Sequence, residues 1–203
     1  MKYLPLLISS LLFVFSCTVE NEELPILGNR DILENGDTIY HTIPDFSFVD
    51  QDSNIITNQT FENKIYISDF FFIHCPSICP SVSKQMLRIY ERFEDNPRVV
   101  LIAHSIDTKN DTIPALKDYA SKLGVISEKW HFVTGDHDHI YEIADDYFIT
   151  ARVDATVPGG FDHSGRIILI DENRHVRSFC DGTNAESVNK FMTDIETLLN
   201  EKK

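Results

Sequence analysis

A chain of 203 residues suits a single domain and is long enough to bury a sizeable core. Its 32 acidic residues outweigh 18 basic ones, giving a formal charge of −14. With no basic run anywhere, that balance excludes nucleic acid as a partner and excludes an electrostatic membrane patch.

Residues 1–16 read as a signal peptide outside the fold. Lys2 supplies a short basic start, and Leu4 to Phe15 form an apolar run too short to span a bilayer comfortably. Val14-Phe-Ser-Cys17 resembles the lipobox of bacterial lipoproteins. That resemblance implies a lipidated Cys17 as the first mature residue, tethered to a membrane of the bacterial cell envelope and facing an extracytoplasmic space. Such spaces are oxidising. Residues 17–40 are acidic and polar, and Pro25, Gly28, Asn35 and Gly36 break any period, so they are expected to be a tether. The folded domain is then expected over residues 41–203.

From His41 the segment Phe46-Ser-Phe-Val turns at Asp50 to Asn54 and returns through Ile55-Ile-Thr, the pattern of an N-terminal hairpin. Lys64 to Phe72 reads as a buried main strand. Pro80 then begins a stretch in which Val82, Met86, Ile89, Tyr90 and Phe93 recur at helical spacing. Val99 to Ala103 is a second continuous apolar strand, followed by a helix from Pro114 to Leu123 that Gly124 stops. Trp130 to Thr134 reads as a third strand, and Asp136 can cap a helix running to Tyr147. A turn-rich loop, Asp154 to Gly160, leads to Phe161-Asp-His-Ser-Gly165. Arg166 to Ile170 and Val176 to Phe179 pair as a hairpin. Thr183 to Glu186 has capping-box spacing ahead of a last helix with Val188, Phe191, Ile195 and Leu198 on one face. Strand–helix alternation closed by a hairpin and a helix is the order of a thioredoxin-like α/β domain.

The chemistry concentrates in Asp69-Phe-Phe-Phe-Ile-His-Cys-Pro-Ser-Ile-Cys-Pro80. Cys75 falls in a strand-to-helix loop and Cys79 at or just before the helix start, where the helix N-terminus favours thiolate. Three residues separate the two cysteines, about one helical turn, whereas ordinary disulfide oxidoreductases use two. Thiolates suit Cu(I), and imidazole serves both copper oxidation states.

This stretch, together with Ser105-Ile-Asp-Thr-Lys-Asn-Asp-Thr112, Trp130-His-Phe-Val-Thr-Gly135 and Asp162-His-Ser-Gly-Arg-Ile-Ile-Leu-Ile-Asp171, resembles the Sco (SenC) copper chaperones. The resemblance implies one copper ion, Cu(I) or Cu(II), held by Cys75, Cys79 and His163. It also implies a client: the binuclear-copper subunit of cytochrome c oxidase during its assembly, or another cuproprotein. Two features depart from the pattern. A lipobox stands where many relatives have a transmembrane anchor, and Ile113 separates Thr112 from Pro114.

Other readings compete at each position. Cys75 and Cys79 could form a structural disulfide, though so small a loop gains little from one. A thiol–disulfide reductase that keeps client cysteines reduced needs the same pair but not His163. His74, Asp107 and Asp111 are candidates for orienting the site from its edge. His137 and His139 read as a helix surface rather than a second metal site, and Cys180 as a small buried apolar residue.

Overall fold

The computed structural model describes residues 23–201, so the signal-peptide and Cys17 readings lie outside the described residues. Residues 23–40, expected as tether, are instead held to the domain. β1 (Arg30–Ile32) and β2 (Thr38–Tyr40) form an antiparallel ribbon, turned at Gly36 with φ of 88°. Ahead of it, Leu24 and Leu27 pack on the core, and the Leu27 N–H donates to the Val176 carbonyl at 2.8 Å. Two leucines and a turn signal had little weight against an acidic composition, yet Arg177, reaching the Pro25 carbonyl, fixes this segment from the far end of the chain.

The expected N-terminal hairpin is β3 (Ser47–Asp50) and β4 (Ile55–Thr57). β5 (Ile65–Phe71) follows, then α1 (Cys79–Phe93), β6 (Val99–Ser105), α2 (Ile113–Leu123), β7 (Trp130–Thr134) and α3 (His137–Asp146). The chain continues through β8 (Ala151–Val153), β9 (Phe161–His163), β10 (Arg166–Ile170), β11 (Val176–Asp181) and α4 (Ala185–Asn200). One sheet carries the order β11-β10-β5-β6-β7-β3-β4, with β5, β6 and β7 parallel and the two hairpins antiparallel at its edges. Every residue of β5 and β6 is buried. Both faces of these strands are covered, which is why neither sequence alternates.

Adjacent strand residues point to opposite faces. Tyr119 of α2 stacks on Phe71, while Tyr147 at the end of α3 bonds Tyr66 through their hydroxyls at 3.0 Å, so α2 and α3 lie on opposite sides. Ser83 to Tyr119 and Arg92 to Glu196 tie α1 to α2 and α4 on the Phe71 side. This is the thioredoxin-like arrangement expected from the sequence, its sheet widened by β3 and β4.

Helix ends follow their caps. Pro114 sits in the first turn of α2, and Gly124 ends that helix in the left-handed conformation. The Asp136 carboxylate accepts from the His139 N–H and starts α3. α4 departs from expectation: Asn184, not Thr183, is its cap, accepting from the N–H groups of Glu186 and Ser187. Thr183 is already engaged, donating its hydroxyl and its N–H to Asp181.

Candidate metal centre

β5 delivers the chain to the rim of the sheet, where Phe72 is still buried and Ile73, His74 and Cys75 form a loop. The Cys75 N–H donates to the Phe72 carbonyl at 3.3 Å, turning the loop towards α1. Cys79 is the first residue of α1. Ile78 ahead of it offers no side-chain cap, and Pro80 has no N–H to satisfy. The two sulfurs therefore gather at an uncapped helix N-terminus.

His163 arrives from more than eighty residues away on a ribbon that sequence reasoning treated as loop. β8 and β9 pair antiparallel with Ala151 opposite His163, and Arg152 donates across the ribbon to Asp162 at 2.6 and 2.9 Å. Phe72 packs against Phe161 with ring centroids 5.0 Å apart and meets the His163 ring edge-on at 5.7 Å. The turn between the strands passes so close to the cysteine loop that a Cβ on Gly159 would lie 2.8 Å from the Phe72 ring and 2.9 Å from Pro76. That contact and its φ of 89° are what require glycine there.

As a result the donor atoms of Cys75, Cys79 and His163 all lie within 4.8 Å of one another, with His163 Nε2 3.4 Å from Cys79 Sγ. Both thiols are free and nearly buried, Cys75 at 7% exposure and Cys79 at 5%. Among the described residues this is the one cluster of histidine, cysteine and carboxylate groups that could hold a metal ion. The donor set is fit for a soft cation: two sulfurs, one imidazole and no carboxylate. His163 Nδ1 is buried with no partner, so the ring's tautomer is not fixed by a bond on its far side.

The two thiols differ electrostatically. Burial alone would raise both. At Cys75 the Ser77 hydroxyl, the Cys79 thiol and the backbone N–H groups of Cys79 and Ser77 outweigh it and bring the thiol down to about 6. At Cys79 burial dominates, and the neighbouring Cys75 sulfur adds to it, so this thiol is pushed up and keeps its proton.

Of the edge candidates, Asp111 alone touches the cysteine loop. Its carboxylate is fully buried and accepts from the Ile73 N–H at 3.1 Å and the Ser105 hydroxyl at 2.6 Å. Asp107 caps its own turn through Asn110, and His74 is exposed. His137 stacks on Tyr141 and His139 meets Phe48 at a tilt, and neither joins the cluster. Cys180 is buried in β11 opposite Ile167, as expected of a small apolar residue.

Asp69 stands outside the expected site residues. It is buried in β5 beneath this rim, Oδ1 has no partner, and burial raises its carboxyl to about 7. A single acid inside a strand read as buried was the available signal.

A model of the SCO1/SenC family matches residues 35–200. The SCO1 protein homolog of Bacillus subtilis is 25% identical over 136 residues, covering 66% of this chain and 65% of its own. Among solved structures, a SCO1/SenC family lipoprotein from Bacillus anthracis superposes with a TM-score of 0.71 at 22% identity, covering 78% of this chain and 95% of its own. Arabidopsis thaliana ScoI with copper bound superposes at 0.63 and 22% identity, covering 75% and 97%. No helix among the described residues is long and apolar enough to cross a membrane.

Proposed function

We propose that this chain, which belongs to the SCO1/SenC family, is a metallochaperone that holds one copper ion between Cys75, Cys79 and His163. It hands the ion to a client, the binuclear copper site of cytochrome c oxidase during assembly. One observation carries the reading: two thiols from one short stretch and an imidazole from more than eighty residues away converge within 4.8 Å. The copper-bound plant relative supports the choice of ion.

The chain's own groups shape loading and release. Cys75 presents a thiolate at neutral pH, whereas Cys79 must surrender a proton before its sulfur can bind, so loading releases protons and tightens as pH rises. Two sulfurs suffice for Cu(I) in near-linear geometry, and the imidazole extends the site to Cu(II), which favours nitrogen and more donors. With so few protein donors, a client's ligand enters before the chaperone's ligands leave. Lipidation at Cys17 would hold the domain at an envelope membrane, and a lipoprotein relative supports that placement.

A second reading, a thiol–disulfide reductase acting on client cysteines, is favoured by the unequal thiols. The Cys75 thiolate would attack a client disulfide, forming a mixed disulfide and expelling one client thiolate. Cys79 would then lose its proton and attack Cys75 Sγ, expelling the second; the pair is oxidised by two electrons and the client reduced by two. His163→Ala separates the readings. The variant is expected to keep Cys75–Cys79 disulfide formation, lose stable Cu(II) binding with its thiolate-to-copper absorption, and fail to support oxidase assembly in cells. Normal assembly with His163→Ala alongside failure with Cys75→Ser would overturn the chaperone reading in favour of the reductase.

A further inference from the structure

We infer that the groove between α1 and α2 seats the metal-accepting segment of the partner: a short apolar stretch carrying a thiol or thioether and an acidic residue. The inference rests on the metal-transfer reading above. The groove has a volume of about 360 Å³ and runs between Leu87 of α1 and Leu123 of α2, with Phe72, Ile73 and Tyr119 along it. That is within the ~300–1,000 Å³ usual for ligand sites. Cys75 and Cys79 themselves are part of its lining.

Three observations identify the occupant. His163 Nε2 lies 3.4 Å from Cys79 Sγ, whereas the groove's lining includes both cysteines but neither His163 nor any other residue of the β8–β9 ribbon. A ligand arriving along it meets Cys75 and Cys79 without displacing the histidine. Leu87, Leu123 and Tyr119 are half-buried, with apolar surface left for a partner's side chains to cover, whereas Ser83 and Tyr119 satisfy each other's hydroxyls at 2.7 Å. Lastly, the chain carries 32 acidic residues, but no carboxylate lines the groove; its one cationic residue is Lys84, exposed at the rim. An acidic residue beside the apolar stretch pairs with Lys84 there.

Two synthetic peptides test this: Asp-Leu-Cys-Phe-Cys and Asp-Ser-Cys-Gly-Cys, offered to the Cu(I)-loaded protein at sub-saturating concentration. The apolar peptide is expected to take Cu(I) about tenfold faster, the gain from covering one or two apolar side chains. Its analogue with Ser for both cysteines is expected to bind the metal-free protein and shift the NMR signals of Leu87 and Leu123. Leu123→Asp should remove the advantage. Because Leu123 also packs on the core, Lys84→Glu, altering an exposed side chain, provides the second variant; it should slow the apolar peptide more than it slows an analogue with Asn in place of Asp, and equal slowing of the two would overturn the pairing with Lys84. Equal rates for the two peptides would overturn the groove assignment while leaving metal transfer standing. Transfer to neither would overturn the metal-transfer reading, and the groove's role with it. A concentration-dependent dimer dissolved by Lys84→Glu would assign the groove to a second copy and overturn the inference.

Discussion

The inequality of the two thiols is open to direct titration. Iodoacetamide reacts with thiolate, so alkylation of the metal-free chain reports the thiolate fraction at each sulfur. With Cys75 brought down to about 6, about ten thiolates stand for each thiol at pH 7, and the alkylation rate falls about tenfold per pH unit below 6. Cys79 should stay unmodified throughout, since burial and the adjacent sulfur hold its proton. Ser77→Ala removes the hydroxyl 3.5 Å from Cys75 Sγ. A hydrogen bond to a charged group contributes about 1.5 kcal/mol at the weak end, so the midpoint should rise by about one pH unit. The same inequality fixes the proton count of metal loading. At pH 7 Cys75 has already lost its proton, so about one proton per copper should be released, against nearly two for ordinary thiols. Mass spectrometry of the alkylated peptide and a weakly buffered copper titration give the two numbers. A Cys75 midpoint near 9, or modification of Cys79 first, would refute the reasoning, because neither is compatible with the donors gathered at the start of α1.

Other expectations follow from neighbouring residues. Asp69 has its carboxyl raised from an ordinary 3.8 to about 7, so the folded chain binds the extra proton and stability falls as pH rises through that interval. Asp69→Asn should erase this slope and gain up to about 4 kcal/mol relative to wild type between pH 4 and pH 8; parallel thermal-unfolding curves would contradict it. Gly159→Ala adds a Cβ 2.8 Å from the Phe72 ring at a positive φ. It should cost about 1–3 kcal/mol and weaken copper binding, as His163 shifts with its ribbon; unchanged affinity in a destabilised protein would separate ribbon from site. Cys17→Ala should release the protein from membranes, since acyl burial resists salt extraction. A wild type that is already soluble would defeat the anchor.

Legibility in the sequence tracked how local each determinant is. β5, β6 and β7 were readable because strands buried on both faces leave continuous apolar runs. The helices were readable from caps such as Asp136 and Gly124. The cysteine pair declared itself because its chemistry is set by spacing within one turn. The β8–β9 ribbon was not readable: its strands are three residues each, each with a charged residue at its centre, and the packing of Phe161 on Phe72 that seats them is not a local signal. His163 could be named by resemblance, but nothing in residues 151–163 says that the ribbon returns it to the thiols. Leu24 and Leu27 were hidden in the same way, their burial depending on Arg177 and Val176 far along the chain. The lowered Cys75 and the raised Cys79 were equally out of reach, because both depend on which N–H groups face which sulfur.

The three donors are fixed with unequal firmness, and this inequality bears on exchange. Cys79 belongs to a fifteen-residue helix packed on the sheet. Cys75 lies in a short loop, tied to the sheet's rim by the bond from the Ile73 N–H to the buried Asp111 carboxylate. His163 stands on a two-stranded ribbon whose salt bridge, Arg152 to Asp162, is solvent-exposed and so adds at most about 1 kcal/mol. The ribbon is thus held over the thiols chiefly by Phe161 and Gly159 against Phe72 and Pro76. A two-stranded ribbon is marginal on its own, so of the three donors the imidazole would have the least costly path away from a bound ion. Cu(I) can stay on two sulfurs while that ligand departs, whereas Cu(II) loses the nitrogen it prefers. On the metallochaperone reading, departure of the imidazole would leave Cu(I) on two sulfurs and open to a client's ligand, so the oxidation state of the ion, rather than a large rearrangement of the fold, would decide how the site is opened.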